Sequence, residues 1–361
     1  MGRVAGRFAR VEPRRRAGAF LFGLLAGLPR VNCWTIAEHA GESTPDGMQH
    51  LLARAVWDDD GVRDDLRAYV VDHLGDPDAV LVVDETGDVK KGTGTVGVQR
   101  QYTGTAGRIE NAQVGVYLVY AGAGGHAFID RALYLPTSWT EDPDRLAEAG
   151  VPADVEFATK PALARTLIAR ALDAGVPAGW VAGDEVYGAD PQLRQDLQQR
   201  EIGYVLAVAN NHRVRTISST ATTQAKDLAK QLPARAWYRR SCGPGAKGHR
   251  SYLWAWLEID VEKASGCHWL LIRRNPRTGE LAYYAPTPRA RSPSRCWPGW
   301  PGGAGQSRSP SRAARNSPAW TNTKSAAGPP GTAGPCWRCS PTPCWPSPPP
   351  VNRPGPRHRT G

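Results

Sequence analysis

Apolar positions along the chain change their period three times. Between residues 34 and 74 they recur at helical spacing, in Leu51–Trp57 and in Val62–Leu74 with Leu66, Tyr69, Val70 and Leu74 on one stripe. Asp58-Asp59-Asp60 and Asp64-Asp65 read as the start of a helix, with acids near its positive end, rather than as a carboxylate cluster. From residue 79 the helical period gives way to short β-branched runs. Ala79–Val83 is apolar without alternation, the pattern of a strand buried on both faces, and it stops at Asp84. Asn111–Ala121 and His126–Leu135 are strand-like and joined by a Gly-rich turn, which predicts an antiparallel meander with the first strand.

A second alternation follows. Pro161–Leu172 is an amphipathic helix with proline in its first turn. Trp180–Gly183 is a short strand that stops at Asp184. Asp190 caps a helix over Pro191–Arg200, and Tyr204–Ala209 is one more apolar strand. Tyr252–Ile259, His268–Ile272 and Leu281–Tyr284 make residues 236–285 β-rich. The predicted fold class is therefore α/β, in the order β-β-β-α-β-α-β, with helices before it and a β-rich insertion from about residue 212. Acids end the first and fourth strands. Carboxylates at the ends of buried strands stand where α/β sheets form ligand sites, and a divalent cation bridging two of them offsets their burial. Either Asp alone reads as a turn cap. The pair in this strand order points to a metal site.

Composition then divides the chain. The net charge of +11 falls entirely after Glu280, the last acid; residues before it are charge-balanced, so the basic character argues for no nucleic-acid-binding domain. Residues 287–361 hold 17 of the 31 prolines and no Leu, Ile, Phe or Met, a composition expected to be disordered. The boundaries expected are 1–75 (helical, a DNA-binding candidate), 76–286 (core) and 287–361 (tail). Arg14-Arg15-Arg16 followed by Ala17–Leu28 imitates a signal peptide, but the apolar run is too short to span a bilayer and no small-residue cleavage site follows; it reads as an amphipathic helix, with no membrane partner. Body cysteines (Cys33, Cys242, Cys267) are odd in number and widely spaced, which suits a reducing cytoplasm. Cys336 and Cys339 have a zinc-like spacing without a second ligand pair.

Three runs carry a family resemblance: Val83 to Gly92, Gly97 to Ala112, and Trp180 to Gly188. They closely resemble the DDE transposases of bacterial insertion sequences, over roughly residues 20–285. The resemblance implies an RNase H-like mixed sheet and Mg²⁺- or Mn²⁺-dependent cutting and joining of DNA, with transposon ends and target as partners and a homodimer to bring two ends together. In that family two Asp and one Glu hold two metal ions about 3.5–4 Å apart. Asp84 matches the first acid and Asp184 the second, as catalytic residues and metal ligands. Glu85 and Glu185 adjoin them but point to opposite faces of a strand and are not expected to be ligands. Lys90, Lys91, Arg100 and Arg108 are candidate phosphate contacts. Gly92 to Gly97 spells GxGxxG, but Asp88–Lys91 separates it from the strand and nothing helical follows, so no dinucleotide site is expected.

The third family acid has no counterpart, because no acid follows Glu280. Reading the codons implied by residues 335–346 one base out of phase, with GC-rich third positions, turns the proline-rich run into an apolar, helix-like stretch. The same shift places a Glu codon across Ser307 and Arg308. A one-nucleotide frame change between about Tyr284 and Arg295 is expected to have truncated the catalytic core, leaving two of three metal-binding acids and impaired cleavage. A ribosomal slip would restore the complete protein. The rival expectation is a catalytically dead DNA-binding product, or a pseudogene translation that does not fold.

Overall fold

The computed structural model describes residues 2–245, 248–261 and 268–287. Cys267, Cys336, Cys339, the proline-rich tail and the shifted-frame segment lie outside these residues. The chain divides into two compact units, the first ending at His73 and the second starting at Leu74.

The first unit is helical. It contains α1 (Val11–Leu25), α2 (Cys33–His39), α3 (Asp46–Ala53) and α4 (Asp59–Leu74). Asn32 caps α2 through a reciprocal capping box with Thr35. Ile36, Ala37 and Met48 form its small core, with Ala19, Phe20 and Leu28 packed against them. The acids at the start of α4 behave as helix-start residues: the Gly61 N–H donates to Asp58 Oδ1 at 2.8 Å, and Asp59 and Asp60 lie in the first turn.

The second unit is built on one mixed sheet. Its elements are β1 (Val80–Val89), β2 (Gln99–Thr103), β3 (Arg108–Gly122), β4 (Gly125–Tyr134), α5 (Thr137–Thr140), α6 (Pro143–Glu148), α7 (Lys160–Asp173), β5 (Trp180–Gly183), α8 (Glu185–Gly188), α9 (Pro191–Gln199), β6 (Gly203–Val208), β7 (Arg213–Thr216), β8 (Thr222–Gln224), α10 (Ala225–Gln231), β9 (Tyr238–Gly245), β10 (Gly248–Asp260), β11 (His268–Arg274) and β12 (Leu281–Thr287). The strand order is β2-β3-β1-β5-β6-β12-β11-β10-β7-β8, with β4 also on β3 and β9 also on β10. β1, β3 and β4 form the expected antiparallel meander. β1, β5 and β6 are parallel, so α7 and the α8–α9 pair serve as the crossovers that parallel strands require. This is the mixed α/β sheet of an RNase H-like fold.

Burial explains the centre. Val80, Leu81, Val82 and Val83 are all buried because β1 has neighbours on both edges and cover on both faces. Tyr120 ties β3 to the strand entries: its hydroxyl accepts from the Asp76 N–H at 2.7 Å and donates to the Pro177 carbonyl at 2.9 Å. Beyond β6 the sheet continues through β12, β11 and β10, whose apolar residues Ile259, Leu270, Ile272 and Tyr283 pack with Ala225 and Ala229 of α10.

One boundary differs from expectation. β1 does not stop at Asp84 but runs to Val89, because its ladder with β3 continues from Asp84↔Tyr117 to Val89↔Ala112. What stops there is the parallel pairing with β5, whose last rung is Val83↔Gly183. The GxGxxG run occupies the loop between β1 and β2, and a strand follows it rather than a helix.

Candidate active site

The register of β1 against β5 places two acids side by side. Val83 and Gly183 are partners in the last parallel rung, and the next residue on each strand is an aspartate. Asp84 and Asp184 therefore leave neighbouring strands, about 4.8 Å apart, at the same level. Their backbones then diverge. Asp84 stays in β1, whereas Asp184 turns out of β5 and caps α8, its Oδ1 accepting from the Val186 N–H at 2.9 Å. The cap reading and the site reading of Asp184 coexist in one side chain.

The short helix α8 lies very close to β6. A Cβ on Gly188 would stand 1.8 Å from the Ala207 carbonyl oxygen, so glycine alone permits this approach. Tyr187, one residue earlier, is fully buried, and its hydroxyl donates to Glu85 Oε2 at 2.7 Å. The other oxygen of Glu85 accepts from Lys160 Nζ at 2.8 Å, at the first residue of α7. Glu85 thus contacts the site's surroundings, where the alternation of strand side chains alone had placed it on an unrelated face. Glu185, by contrast, is exposed on α8.

The electrostatics set these acids apart. Burial above all, helped by the charges of Asp184 and Glu85 and opposed by the Glu85 N–H and the Lys160 ammonium, pushes the Asp84 carboxyl up to about 7. The Asp184 carboxyl is also raised, by burial first and then by Glu85, against the N–H groups of Val186 and Tyr187. Burial and the neighbouring Glu85 carboxylate likewise raise the Tyr187 phenol, so it stays a donor. Among the described residues no Lys or Arg reaches Asp84 or Asp184 at ion-pair distance. Two half-buried, mutually repelling carboxylates form a donor set that a hard divalent cation fits, because it neutralises both at once. No group of three His, Cys, Asp or Glu side chains arranged to hold a metal occurs among the described residues.

The basic candidates fall into two places. The Lys90 N–H donates to the Asn111 carbonyl, the Asn111 amide donates back to the carbonyls of Lys90 and Gly92, and Arg100 is the ladder partner of Asn111. Lys90, Lys91 and Arg100 are thereby gathered around Asn111, six residues or roughly 20 Å from Asp84 in the direction of β1. Arg108 lies at the far end of the β2–β3 hairpin, paired with Glu110 at 2.7 Å. Lys90 also pairs with Asp88 at 3.4 Å. Lys160 and Tyr187 were not singled out from sequence. The only local signal for them was their position, Lys160 just before the helix-starting Pro161 and Tyr187 inside the Trp180–Gly188 run.

Residues 3–247 match the family profile described as DDE superfamily endonuclease. The probable transposase for insertion sequence element IS701 from Microchaete diplosiphon is 28% identical over 195 residues, covering 53% of this chain and 48% of that protein. The chain thus spans about half the length of this curated relative.

Proposed function

The chain belongs to the DDE superfamily endonuclease family, and from that premise we propose that it is an insertion-sequence transposase acting on DNA. The observation that carries this reading is the side-by-side departure of Asp84 and Asp184 from adjacent parallel strands. In it, Asp84 and Asp184 are the catalytic acids and would together hold Mg²⁺ or Mn²⁺. Such an ion supplies activation of water or a 3′-hydroxyl and neutralisation of the leaving oxygen. The protein's own part is to keep the two carboxylates converged and half-buried, where an ionised pair favours a cation over water. Lys90, Lys91 and Arg100 form a basic group along the sheet edge suited to DNA phosphates, with Arg108 a more remote contact.

The helical segment 1–75 is assigned DNA binding and residues 76–286 the catalytic core. Joining two transposon ends to a target calls for a homodimer. A DNA substrate in a bacterial cell implies a cytoplasmic location. No helix among the described residues is long and apolar enough to cross a membrane.

The sequence has no acid after Glu280, which leaves this chain without a third carboxylate in the family position and favours a second reading: a product that binds transposon ends but cuts poorly. Incubating the full chain with supercoiled plasmid bearing the element's ends and Mn²⁺ separates the two. The enzymatic reading expects weak nicking that Asp84→Ala removes, and strong nicking from a chain rebuilt in the shifted frame. End-specific retention without nicking, unchanged in Asp84→Ala, supports the binding-only reading. Nicking by Asp84→Ala at the wild-type rate defeats the catalytic assignment.

A further inference from the structure

We infer that Glu85, gripped by Lys160 and Tyr187, is a positioning residue that fixes where Asp84 and Asp184 stand relative to each other. The inference rests on the reading of that Asp pair as the divalent-ion site, and it adds residues with no ligand role.

One carboxylate joins three elements. Glu85 belongs to β1 and follows Asp84 directly; its Oε1 holds Lys160 at the start of α7, and its Oε2 holds Tyr187 in α8. Asp184 is the cap of α8, so its direction follows that helix. α8 has only four residues and cannot hold its own orientation; it is pinned by Gly188 against β6 and by the Tyr187 hydroxyl against Glu85. A rotation of α8 that breaks the Tyr187–Glu85 bond changes where its cap, Asp184, stands relative to Asp84.

The choice of a third negative charge beside two others needs a reason, since like charges raise the cost of ionising all of them. A glutamine in this place accepts through one oxygen only; its amide nitrogen could meet the phenol only as a donor, reversing that bond, and it brings no charge to face the Lys160 ammonium. A carboxylate accepts both, and the Lys160 ammonium offsets its charge. With both oxygens engaged, Glu85 is occupied as a clamp. Partners of this kind around metal ligands typically change metal affinity on the order of 10–100-fold when removed.

The experiment uses the full chain and Mn²⁺ alone as the probe, read by calorimetry, with amide hydrogen exchange at Val186 in the metal-free protein as a second readout. Tyr187→Phe removes one hydroxyl and keeps the buried ring, so the fold is retained. It is expected to weaken Mn²⁺ binding about 10-fold and to speed exchange at Val186. Glu85→Gln and Lys160→Met behave alike, Lys160→Arg recovers most of the affinity, and Glu85→Gln with Tyr187→Phe is no worse than Glu85→Gln alone. Unchanged affinity and unchanged Val186 exchange in Tyr187→Phe overturn the clamp. So does loss of all Mn²⁺ binding in Glu85→Gln with none in Tyr187→Phe, which makes Glu85 a ligand. If wild type and Asp84→Ala bind Mn²⁺ equally, or neither binds, the metal-site reading fails, while the exchange data still decide whether the clamp exists.

Discussion

Asp130 on β4 and Asp84 on β1 are carboxylates of one sheet with opposite settings. The Asp130 side chain is wholly buried and faces Arg170 of α7 in a two-pronged pair, Nε to Oδ2 at 2.8 Å and Nη2 to Oδ1 at 2.9 Å. Asp84 is less buried, yet its near neighbours include two further acids. The first arrangement is how a fold accommodates a buried charge: a planar guanidinium satisfies both oxygens and locks helix to sheet. The second leaves charge uncompensated inside the protein, which a fold tolerates where a ligand supplies the compensation. The same residue type is thus compensated by the fold at one place and left among like charges at the other, and the difference lies in the partner.

The largest expected effect breaks the structural side of this contrast. Arg170→Ala takes its two-pronged partner from the buried Asp130 carboxylate. Breaking a fully buried pair typically costs about 3–5 kcal/mol, and the low end of that range is expected here because the Arg170 side chain is one-third exposed and the Arg131 N–H still bonds Asp130. Urea melts at pH 7 are expected to show that loss. A loss no larger than that of an exposed pair would mean that Asp130 and Arg170 are not locked as described.

The next effect has the opposite sign. In the metal-free chain the Asp84 carboxyl titrates near 7, against 3.8 for the unperturbed group. Between those values the folded chain keeps a proton that the unfolded chain has released, so this group makes stability fall as pH rises through the window. Asp84→Asn cannot ionise. It is expected to match wild type at pH 4 and to exceed it above pH 7, by on the order of 2 kcal/mol for a half-buried group. Added Mn²⁺ should close the gap by stabilising wild type only. Thermal melts at pH 4 and 8 with and without Mn²⁺ check this, and an equal or lower stability of Asp84→Asn at pH 8 would contradict it.

Which parts of this contrast the chain announces in advance follows from how local the cause is. Val80–Val83 is legible because full burial leaves an unbroken apolar run, and Trp180–Gly183 because its buried centre, Val181 and Ala182, leaves no polar position. The Asp190 cap is legible because its bonds reach only two and three residues ahead. Asp84 and Asp184 stood out as acids closing such runs. β2 escaped notice because Gln99–Thr103 is a mostly polar edge strand, and β9 because it carries glycine and proline. β1 was read short because a parallel rung ends where an antiparallel ladder carries on. The Glu85 clamp had no local signature: its partners lie 75 and 102 residues away and meet only when the sheet closes.

The finest test asks whether Asp84 and Asp184 act as one unit. The Asp184 carboxyl is raised by burial and by Glu85, but its cap bonds to Val186 and Tyr187 favour the ionised form and partly cancel that shift. Asparagine keeps the cap, since its side-chain oxygen accepts the same bond. Asp184→Asn is therefore expected to gain less at pH 8 than Asp84→Asn. The Asp184 charge is among the causes that raise Asp84, so neutralising it removes part of what Asp84→Asn relieves. The double variant should then gain less than the two singles added together, and the shortfall should shrink at pH 4, where Asp84 is largely protonated. Strict additivity at both pH values would mean that the two charges do not sense each other, and that their shared level at the end of the parallel pairing is a coincidence of register.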